Sequence, residues 1–441
     1  MDKSKKNSPF RYSLGIFGLA IPVNVSGFLL QTYYVEKVGI SLGLIATVMT
    51  FYSVWAAVND PVLGWMSDST RSRFGRRKPW LLGTTPLYFL SMIFLFSAEL
   101  VKGSQTADQL SNNALFIAYF VFVMFINEAF STVIWQNYGV LHAELFHSED
   151  KIRKVANLTQ ILQMVGVLVA TLCAPLLLEV TDSYTLTIAI LSIVGGGILI
   201  YSVLGVHEDL NIATQKKVPF IKSMMIAVKC KGFLPISLVG AFSGLSASIV
   251  ISSIAIYGKY ALGIGDNMIS VAILMGSALL IVLPMIAVWS VVIKKIGAIA
   301  TFITSLAISV VCSAGFLVAN DLITGIIASA FFAVGYAGAM VSSSVISTMV
   351  LKKHTIDASV NNEAVFNAMK GFIGQFMGSL RGIAVWLLTP LFGFVSGDNP
   401  GNHPVDAWRF AMSVLPCAFA VLTLIVIAVW YKTFKYYEKL Q

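Results

Sequence analysis

Stretches of about 20 mostly apolar residues, each long enough to cross about 30 Å of hydrocarbon as a helix, recur along the whole chain. The 441 residues are 57% hydrophobic and only 12% charged. A water-soluble domain of this size cannot bury that much apolar surface. The sequence therefore predicts an all-α integral membrane protein.

Twelve spans are predicted, and this even number places both ends of the chain on one side of the membrane. The spans are 13–34, 42–66, 80–99, 114–136, 157–178, 184–205, 233–260, 267–291, 297–318, 321–350, 365–395 and 406–431. Of the 30 basic residues, 24 lie in the termini and in the loops after even-numbered spans. Because basic residues concentrate in cytoplasmic loops, we expect a multi-pass protein of the cell membrane (inner or plasma membrane) with both termini cytoplasmic.

This charge asymmetry explains the net charge of +9, so no nucleic-acid partner is expected. The first apolar stretch is too long for a signal peptide and lacks a small-residue cleavage site, so it should remain as the first span. The cysteines lack metal-ligand spacing, and the five histidines are scattered in loops or at span ends. We therefore expect neither enzyme activity nor a cofactor.

The longest polar stretch, 207–232, separates six spans from six. The predicted organisation is an N-terminal six-helix bundle at 1–206, a cytoplasmic linker at 207–232 and a C-terminal six-helix bundle at 233–441. Two six-helix repeats with a site between them near the midplane resemble the architecture of the major facilitator superfamily.

Two acids lie inside predicted spans: Asp60 in the second and Glu128 near the middle of the fourth. A carboxylate in hydrocarbon is costly, so Asp60 should face a partner, a cation or a water-filled path. If the two spans are neighbours, both carboxylates face one cavity, and one of them holds a proton near neutral pH. The pair is the candidate site for a proton or another coupling ion. Alternatively, Glu128 is a structural residue, protonated or assisted by Asn127.

In the eleventh span, small and cationic residues recur at a spacing of three or four, so they share one face of the predicted helix. They are Asn367, Lys370, Gly371, Gly374, Gly378 and Arg381. Arg381 lies about 24 Å along the axis from residue 365, near the midplane or a little beyond. It should therefore pair with an acid or contact an anionic or hydroxyl-rich ligand, unless backbone carbonyls bind it.

Further candidates for a substrate cavity accompany Arg381 and Asn367. Asn59 precedes Asp60, and Trp55 lies inside its span, where it could stack on the apolar face of a sugar. Core packing is the commoner fate of a buried tryptophan.

Charged residues near the cytoplasmic span ends are first of all a topology signal. A second interpretation is a latch, in which an acid at a helix end pairs with a loop arginine in one conformational state. The candidate gate residues are Asp68, Arg71, Arg76, Arg77, Glu144 and Arg153.

The segments NDPVLGW (59–65) and DSTRSRFGRRKPW (68–80) resemble the signature of the glycoside–pentoside–hexuronide:cation symporters, the melibiose-permease family within the major facilitator superfamily. YGVLHAEL (138–145) resembles that family's fourth-span exit, and NEAVF (362–366) resembles its entry to span eleven. The likeness covers the whole chain.

This resemblance implies sugar uptake coupled to Na⁺, Li⁺ or H⁺, with Asp60 matching a cation-site aspartate on the second helix. The family's other polar groups are replaced: its companion aspartate falls at Ala56, its helix-one acid at about Ala20 and its helix-eleven lysine near Gln375. The helix-four acid falls near Ile134 or Trp135. One carboxylate rarely suffices for Na⁺, so proton coupling is favoured, with Glu128 and Arg381 as displaced substitutes.

The sequence thus predicts a monomeric, twelve-helix, alternating-access symporter for a glycoside or a related small solute, with H⁺ favoured over Na⁺. Gln375 joins the candidate cavity residues. The alternative is a transporter of an amphipathic or anionic solute such as a lysolipid, because Arg381 could bind a phosphate.

Overall fold

The computed structural model describes residues 7–70, 72, 74–103, 105, 107–146, 149–208, 232–265, 267–358, 363–396 and 399–438. Its twelve long helices are α1 (Pro9–Thr32), α2 (Leu42–Ser69), α3 (Lys78–Leu95), α4 (Ala114–Leu145), α5 (Glu149–Thr181), α6 (Tyr184–Leu204), α7 (Phe233–Ala261), α8 (Met268–Ile296), α9 (Ala298–Ser313), α10 (Leu322–Ala358), α11 (Glu363–Trp386) and α12 (Pro404–Val429). A π-helical segment, Tyr33–Val38, continues α1. The shorter helices are Ala98–Lys102, Ala107–Asn112, Gly315–Val318, Leu388–Phe392 and Tyr431–Glu438.

Each predicted span corresponds to one long helix, and the described residues form no β-strand. Eleven of the described helices are long and apolar enough to cross a membrane. The remaining one, α3, has 18 residues and begins with the polar or weakly apolar residues Lys78, Pro79 and Trp80. Large apolar side chains such as Phe122, Ile193 and Val311 are exposed on the helices, as lipid contact requires. The predicted all-α membrane class is confirmed.

Local sequence signals explain where several helices begin. The Asn113 side chain accepts hydrogen bonds from the backbone N–H groups of Leu115 and Phe116 at the start of α4. Ser183 and Asn267 cap α6 and α8 in the same way. These side chains satisfy N–H groups that lack a partner within the helix.

Two neighbouring helices extend well beyond the predicted spans. The fourth span was expected to end near 136, but α4 continues to Leu145, and α5 begins at Glu149 instead of near 157. A helix needs apolar residues only inside the bilayer, because polar side chains on its extensions are solvated by water. The predicted loop 4–5 is therefore mostly helical, and Glu144 and Arg153 lie on helices.

The chain divides into two compact units. Unit one comprises Met1–Ile40 and Val58–Lys217, and unit two comprises Ser41–Ala57 and Val218–Gln441. The division falls within α2, three residues before Asp60. The bundle boundaries at 206 and 233 stay predictions.

Within unit one, α1 packs against α5 and α6, and α3 packs against α4 and α6. The approach of α1 to α6 is close, because a Cβ at Gly18 would lie 2.5 Å from the carbonyl oxygen of Gly195. Within unit two, α7 packs against α11 and α12, and α10 packs against α8 and α9.

Candidate functional site

Asp60 lies on α2 in unit one and is half-buried. Thr132 of α4 donates its hydroxyl to Asp60 Oδ1 at 2.8 Å, and Gln136 Nε2 donates to the Asp60 carbonyl oxygen at 2.8 Å. The other carboxylate oxygen, Oδ2, accepts no hydrogen bond from the described residues and is not one of their fully buried polar atoms. One oxygen of the carboxylate is thus fixed, while the other stays accessible.

Asn59, the neighbour of Asp60, is only 4% exposed. Its Nδ2 is fully buried and has no hydrogen-bond partner among the described residues. A buried donor left in this state costs about 1–3 kcal/mol. The amide, one residue before Asp60 in the chain, therefore has an unused hydrogen-bond donor.

Glu128 lies on α4 in the same unit and is 8% exposed. It interacts electrostatically with the Tyr88 hydroxyl of α3, which also bonds with the side chain of Ser131. The neighbouring Asn127 donates its amide to Ser91 Oγ at 2.9 Å, so it bonds to α3. Glu128 is therefore a buried acid in polar surroundings.

Glu128, Thr132 and Gln136 are spaced by four residues and so lie on one face of α4. Two of the three bond to Asp60. The structure thus places Asp60 against the face of α4 that carries Glu128, Thr132 and Gln136, within unit one. The sequence analysis missed Thr132 and Gln136, although their i+4 and i+8 spacing from Glu128 is the signal that identifies them.

Gly64 of α2 makes room for this arrangement. A Cβ at Gly64 would lie 2.7 Å from Gln136 Oε1. The Gln136 amide therefore contacts α2 at two places: its Nε2 bonds to the Asp60 carbonyl oxygen, and its Oε1 lies beside Gly64, one helical turn further along.

Arg381 lies on α11 in unit two and is half-buried. Its Nη1 donates to Ser248 Oγ of α7 at 2.8 Å, and Nη2 lies 3.9 Å from Met49 Sδ. It also interacts electrostatically with Tyr52. Among the described residues no carboxylate and no backbone carbonyl binds it. The partner is thus a single serine hydroxyl, and the expected acid partner is not found among the described residues.

Lys370 lies on the same helix, and its Nζ donates to Ser347 Oγ of α10 at 2.9 Å. Gln375, the other described cavity candidate on α11, is half-buried and forms no hydrogen bond with the described residues. Trp55, in the part of α2 that belongs to unit two, is 37% exposed, so helix packing does not enclose it.

The loop between α2 and α3 binds an acid that the sequence analysis did not select. The Glu208 carboxylate accepts the backbone N–H groups of Arg76 at 2.7 Å, Arg77 at 3.1 Å and Lys78 at 2.6 Å. The Arg77 side chain is buried, and its Nη1 donates to Asn137 Oδ1 of α4 at 3.3 Å. These contacts all lie within unit one. The side chains of the remaining candidates, Asp68, Arg71, Glu144, Arg153 and Asn367, lie outside the described part of the chain.

A family model described as MFS/sugar transport protein matches residues 11–433. Among curated proteins, the chain is 35% identical over 123 residues to an uncharacterized symporter of Synechocystis sp., covering 28% of this chain and 22% of that protein. It is 30% identical over 89 residues to the putative glycoside/cation symporter YagG of Escherichia coli, covering 20% and 19%. It is 31% identical over 86 residues to the sphingosine-1-phosphate transporter MFSD2B of Xenopus tropicalis, covering 19% and 17%. The chain thus spans less than half the length of the curated relatives it matches.

Two solved structures share the fold over nearly the whole chain. The nucleoside transporter NupG superposes with a TM-score of 0.69 at 12% identity, covering 96% of this chain and 99% of that one. A bacterial homologue of the human peptide transporters PepT1 and PepT2 gives a TM-score of 0.61 at 14% identity, covering 98% and 99%.

Proposed function

We propose that this chain, which belongs to the MFS/sugar transport protein family, is a proton-coupled symporter that moves a glycoside or a related small solute by alternating access. Asp60 is the coupling acid, and Glu128 is its partner on α4. The protein would act as a monomer in the cell membrane, with both termini cytoplasmic.

The geometry of Asp60 carries this proposal. A coupling acid must be held in place and yet gain and lose its ion. Thr132 fixes Oδ1 of the carboxylate, while Oδ2 has no partner among the described residues and is not sealed. A carboxylate retained in a membrane helix at considerable cost is by default functional.

The oxygen atoms around Asp60 favour a proton over a sodium ion. Hard metal cations are held by several oxygen ligands. The described neighbours of the carboxylate supply one hydroxyl, from Thr132, and Gln136 directs its NH₂ group towards α2. A proton needs only the carboxylate oxygen itself.

The glycoside assignment follows the family description and the name of YagG, a putative glycoside/cation symporter. Asn59, Trp55, Gln375, Asn367 and Arg381 are the proposed contacts of the solute. Arg76 and Arg77, with Asp68, Arg71, Glu144 and Arg153, are the proposed cytoplasmic gate.

A second candidate is transport of an amphipathic or anionic solute such as a lysolipid. The observation that favours it is the half-buried Arg381, which binds a serine hydroxyl and no described carboxylate. One relative, MFSD2B, is named as a sphingosine-1-phosphate transporter.

Uptake by the purified protein in proteoliposomes tests the proposal. A panel of glycosides, with lysophosphatidylcholine as the amphipathic arm, is offered under an imposed pH gradient or an imposed sodium gradient. Proton coupling requires accumulation driven by the pH gradient alone, together with alkalinisation of the outside medium when the solute is added. Accumulation driven only by sodium would refute it.

A further inference from the structure

The last described helix, Tyr431–Glu438, lies across one end of unit two. This tail helix contacts α9 and α10 as well as α12, so it does not simply prolong α12. Phe434, near its centre, is 2% exposed and packs into the hydrophobic core of the unit. The helix begins two residues after Val429, the last residue of α12. It is therefore held at the level where this span leaves the bilayer.

An acid fixes the far end of the tail helix. Glu438 Oε1 accepts the backbone N–H of Ile299, in the first turn of α9, at 3.2 Å. A Cβ at Gly297 would lie 2.5 Å from the same oxygen, so the glycine makes room for the carboxylate. The tail helix therefore ends beside the turn between α8 and α9. The last turn of α8, which leads into this turn, carries the exposed residues Lys294 and Lys295.

The outward face of the tail helix combines tyrosine with lysine. Tyr431 and Lys435 are four residues apart, as are Lys432 and Tyr436, so the four side chains form two adjacent rows. All four are exposed. Lys435 Nζ lies 5.6 Å from the centre of the Tyr431 ring. Within the described part of the chain, no carboxylate binds either lysine. The face thus presents positive charge and aromatic rings together.

This combination exceeds what membrane topology requires. Positive charge alone determines which end of a span is cytoplasmic, and exposed tyrosines add nothing to that signal. Tyrosine has an apolar ring and a polar hydroxyl, so it suits the boundary between lipid and water. The sequence predicts that this end of the chain is cytoplasmic, and the cytoplasmic leaflet carries anionic lipids. Both the charge and the rings of this face are therefore complementary to that leaflet.

We propose that the tail helix and the adjoining end of α8 form a binding surface for anionic phospholipid headgroups of the cytoplasmic leaflet. The surface consists of Tyr431, Lys432, Lys435 and Tyr436, with Lys294 and Lys295. The lysines bind the phosphate groups, and the tyrosine rings lie between the headgroups. Helices with lysine and aromatic side chains bind membrane interfaces in this manner. The transported solute takes no part, so this inference goes beyond the proposed transport function.

Lipid binding to the full-length protein in detergent tests this surface. The tail variant, Lys432→Gln/Lys435→Gln, removes two charges from the tail helix. The matched control, Lys102→Gln/Lys259→Gln, removes two charges that are predicted to lie on the opposite face of the membrane. Lys259 is a close match, because its Nζ lies 5.5 Å from the centre of the Tyr260 ring. Native mass spectrometry measures how tightly each protein binds phosphatidylglycerol and phosphatidylcholine in the same buffer.

The wild type should bind phosphatidylglycerol more tightly than phosphatidylcholine, because only phosphatidylglycerol carries a net charge. A lysine near an anionic surface contributes about a fivefold change in affinity, so the tail variant should bind phosphatidylglycerol about 5- to 25-fold more weakly. The control variant should bind it as the wild type does. All three proteins should bind phosphatidylcholine alike.

Three results would overturn the inference. One is equal affinity of the tail variant and the control variant for phosphatidylglycerol. The second is displacement of the lipid by glycerol 3-phosphate at equal concentration, which would assign the surface to a soluble phosphate. The third is binding of polyglutamate as tight as that of phosphatidylglycerol, which would indicate an acidic protein partner. Binding is measured without solute or ion gradient, so failure of the proposed transport function would leave it unchanged.

Discussion

The carboxylate of Glu208 occupies the position where a side chain at Gly75 would lie. A Cβ at Gly75 would be 2.6 Å from Glu208 Cδ, and Gly75 has a φ of +115°, which other residues rarely adopt. The glycine thus allows the loop before α3 to direct three backbone N–H groups at one acid. A carboxylate at a helix N-terminus also interacts favourably with the helix dipole.

Replacing Glu208 by Gln should destabilise the protein by about 1–3 kcal/mol, because the N–H groups lose a charged acceptor. Gly75→Ala should cost a similar amount, about 1–3 kcal/mol, through backbone strain and the clash with Glu208. Thermal unfolding in detergent measures both. Glu179→Gln, a change at an exposed acid of α5, is the control. Equal melting temperatures for Glu208→Gln and Glu179→Gln would contradict the assignment.

Asp60→Asn should abolish uphill uptake and leave solute exchange partly intact. An amide cannot release a proton to drive the cycle, but it can still accept the Thr132 hydrogen bond and fill the same space. Proteoliposome accumulation ratios under a pH gradient measure the first effect, and counterflow of labelled solute measures the second. An accumulation ratio equal to that of the wild type would exclude Asp60 as the coupling acid.

Thr132→Val should move the pH of half-maximal uptake upwards by about one to two units, because a hydrogen bond to a charged group contributes about 1.5–3 kcal/mol. The hydroxyl favours the ionised carboxylate of Asp60, so its removal favours the protonated form and loads the site at higher pH. Thr132→Ser keeps the donor and should keep the wild-type profile. The pH dependence of initial uptake rates distinguishes the two, and identical profiles for Val and Ser would count against the contact.

Gly64→Ala should reduce uptake with little loss of stability. The new methyl group would displace the Gln136 amide, the flexible end of a side chain, and break its bond to the Asp60 carbonyl. Gly83→Ala on α3 meets no atom within 4 Å and should instead stabilise the protein by about 0.5–1 kcal/mol without affecting uptake. Uptake by Gly64→Ala equal to that by Gly83→Ala would show that Gln136 has no role at the site.

Asp321 caps α10, and its removal should lower the melting temperature. Its Oδ1 accepts the backbone N–H of Thr324 at 2.8 Å and the hydroxyl of that residue at 2.9 Å. These hydrogen bonds lower the pKa of Asp321 below its usual value. A depressed folded-state pKa gives stability that is present above the unfolded pKa, about 4, and is lost as the pH falls below it.

Asp321→Ala should therefore destabilise the protein at neutral pH and flatten the acid side of the stability profile. Asp321→Asn keeps a capping oxygen but carries no charge, so it should lose the pH dependence and, at neutral pH, melt between the wild type and Asp321→Ala. Melting temperatures between about pH 3 and pH 7 check both, since this range includes the usual aspartate pKa. If the wild-type profile coincides with that of Asp321→Asn, the charge of Asp321 does not stabilise the start of α10.

The helices were predictable because the apolar length of a span is a local property of the sequence. The extensions of α4 and α5 were not: Gln136 ends an apolar window without ending α4, and α5 begins at Glu149, before its own apolar window starts. Glu128 and Asp60 were conspicuous as acids among apolar residues. Thr132 was not, because burying a threonine in a membrane helix costs little free energy, so its presence there does not indicate a functional site.

Glu208 illustrates a stronger limit of local patterns. Its partners are 130 to 132 residues away in the chain and are backbone groups, which every sequence contains. Only the packing of α3 against α6 brings them together. The glycine at 75 signals a special backbone conformation, but it does not identify the residue that uses it.

The attachment of residues 204–208 also decides where this protein tolerates engineering. Asn7 forms two hydrogen bonds with the backbone of His207, and Lys78 Nζ donates to the carbonyl oxygens of Leu204 and Val206. An inserted reporter domain before Glu208 would break these bonds and remove the acid from the start of α3. The same insertion a few residues later would leave them intact, so a fluorescent fusion in this connection should be placed after position 208.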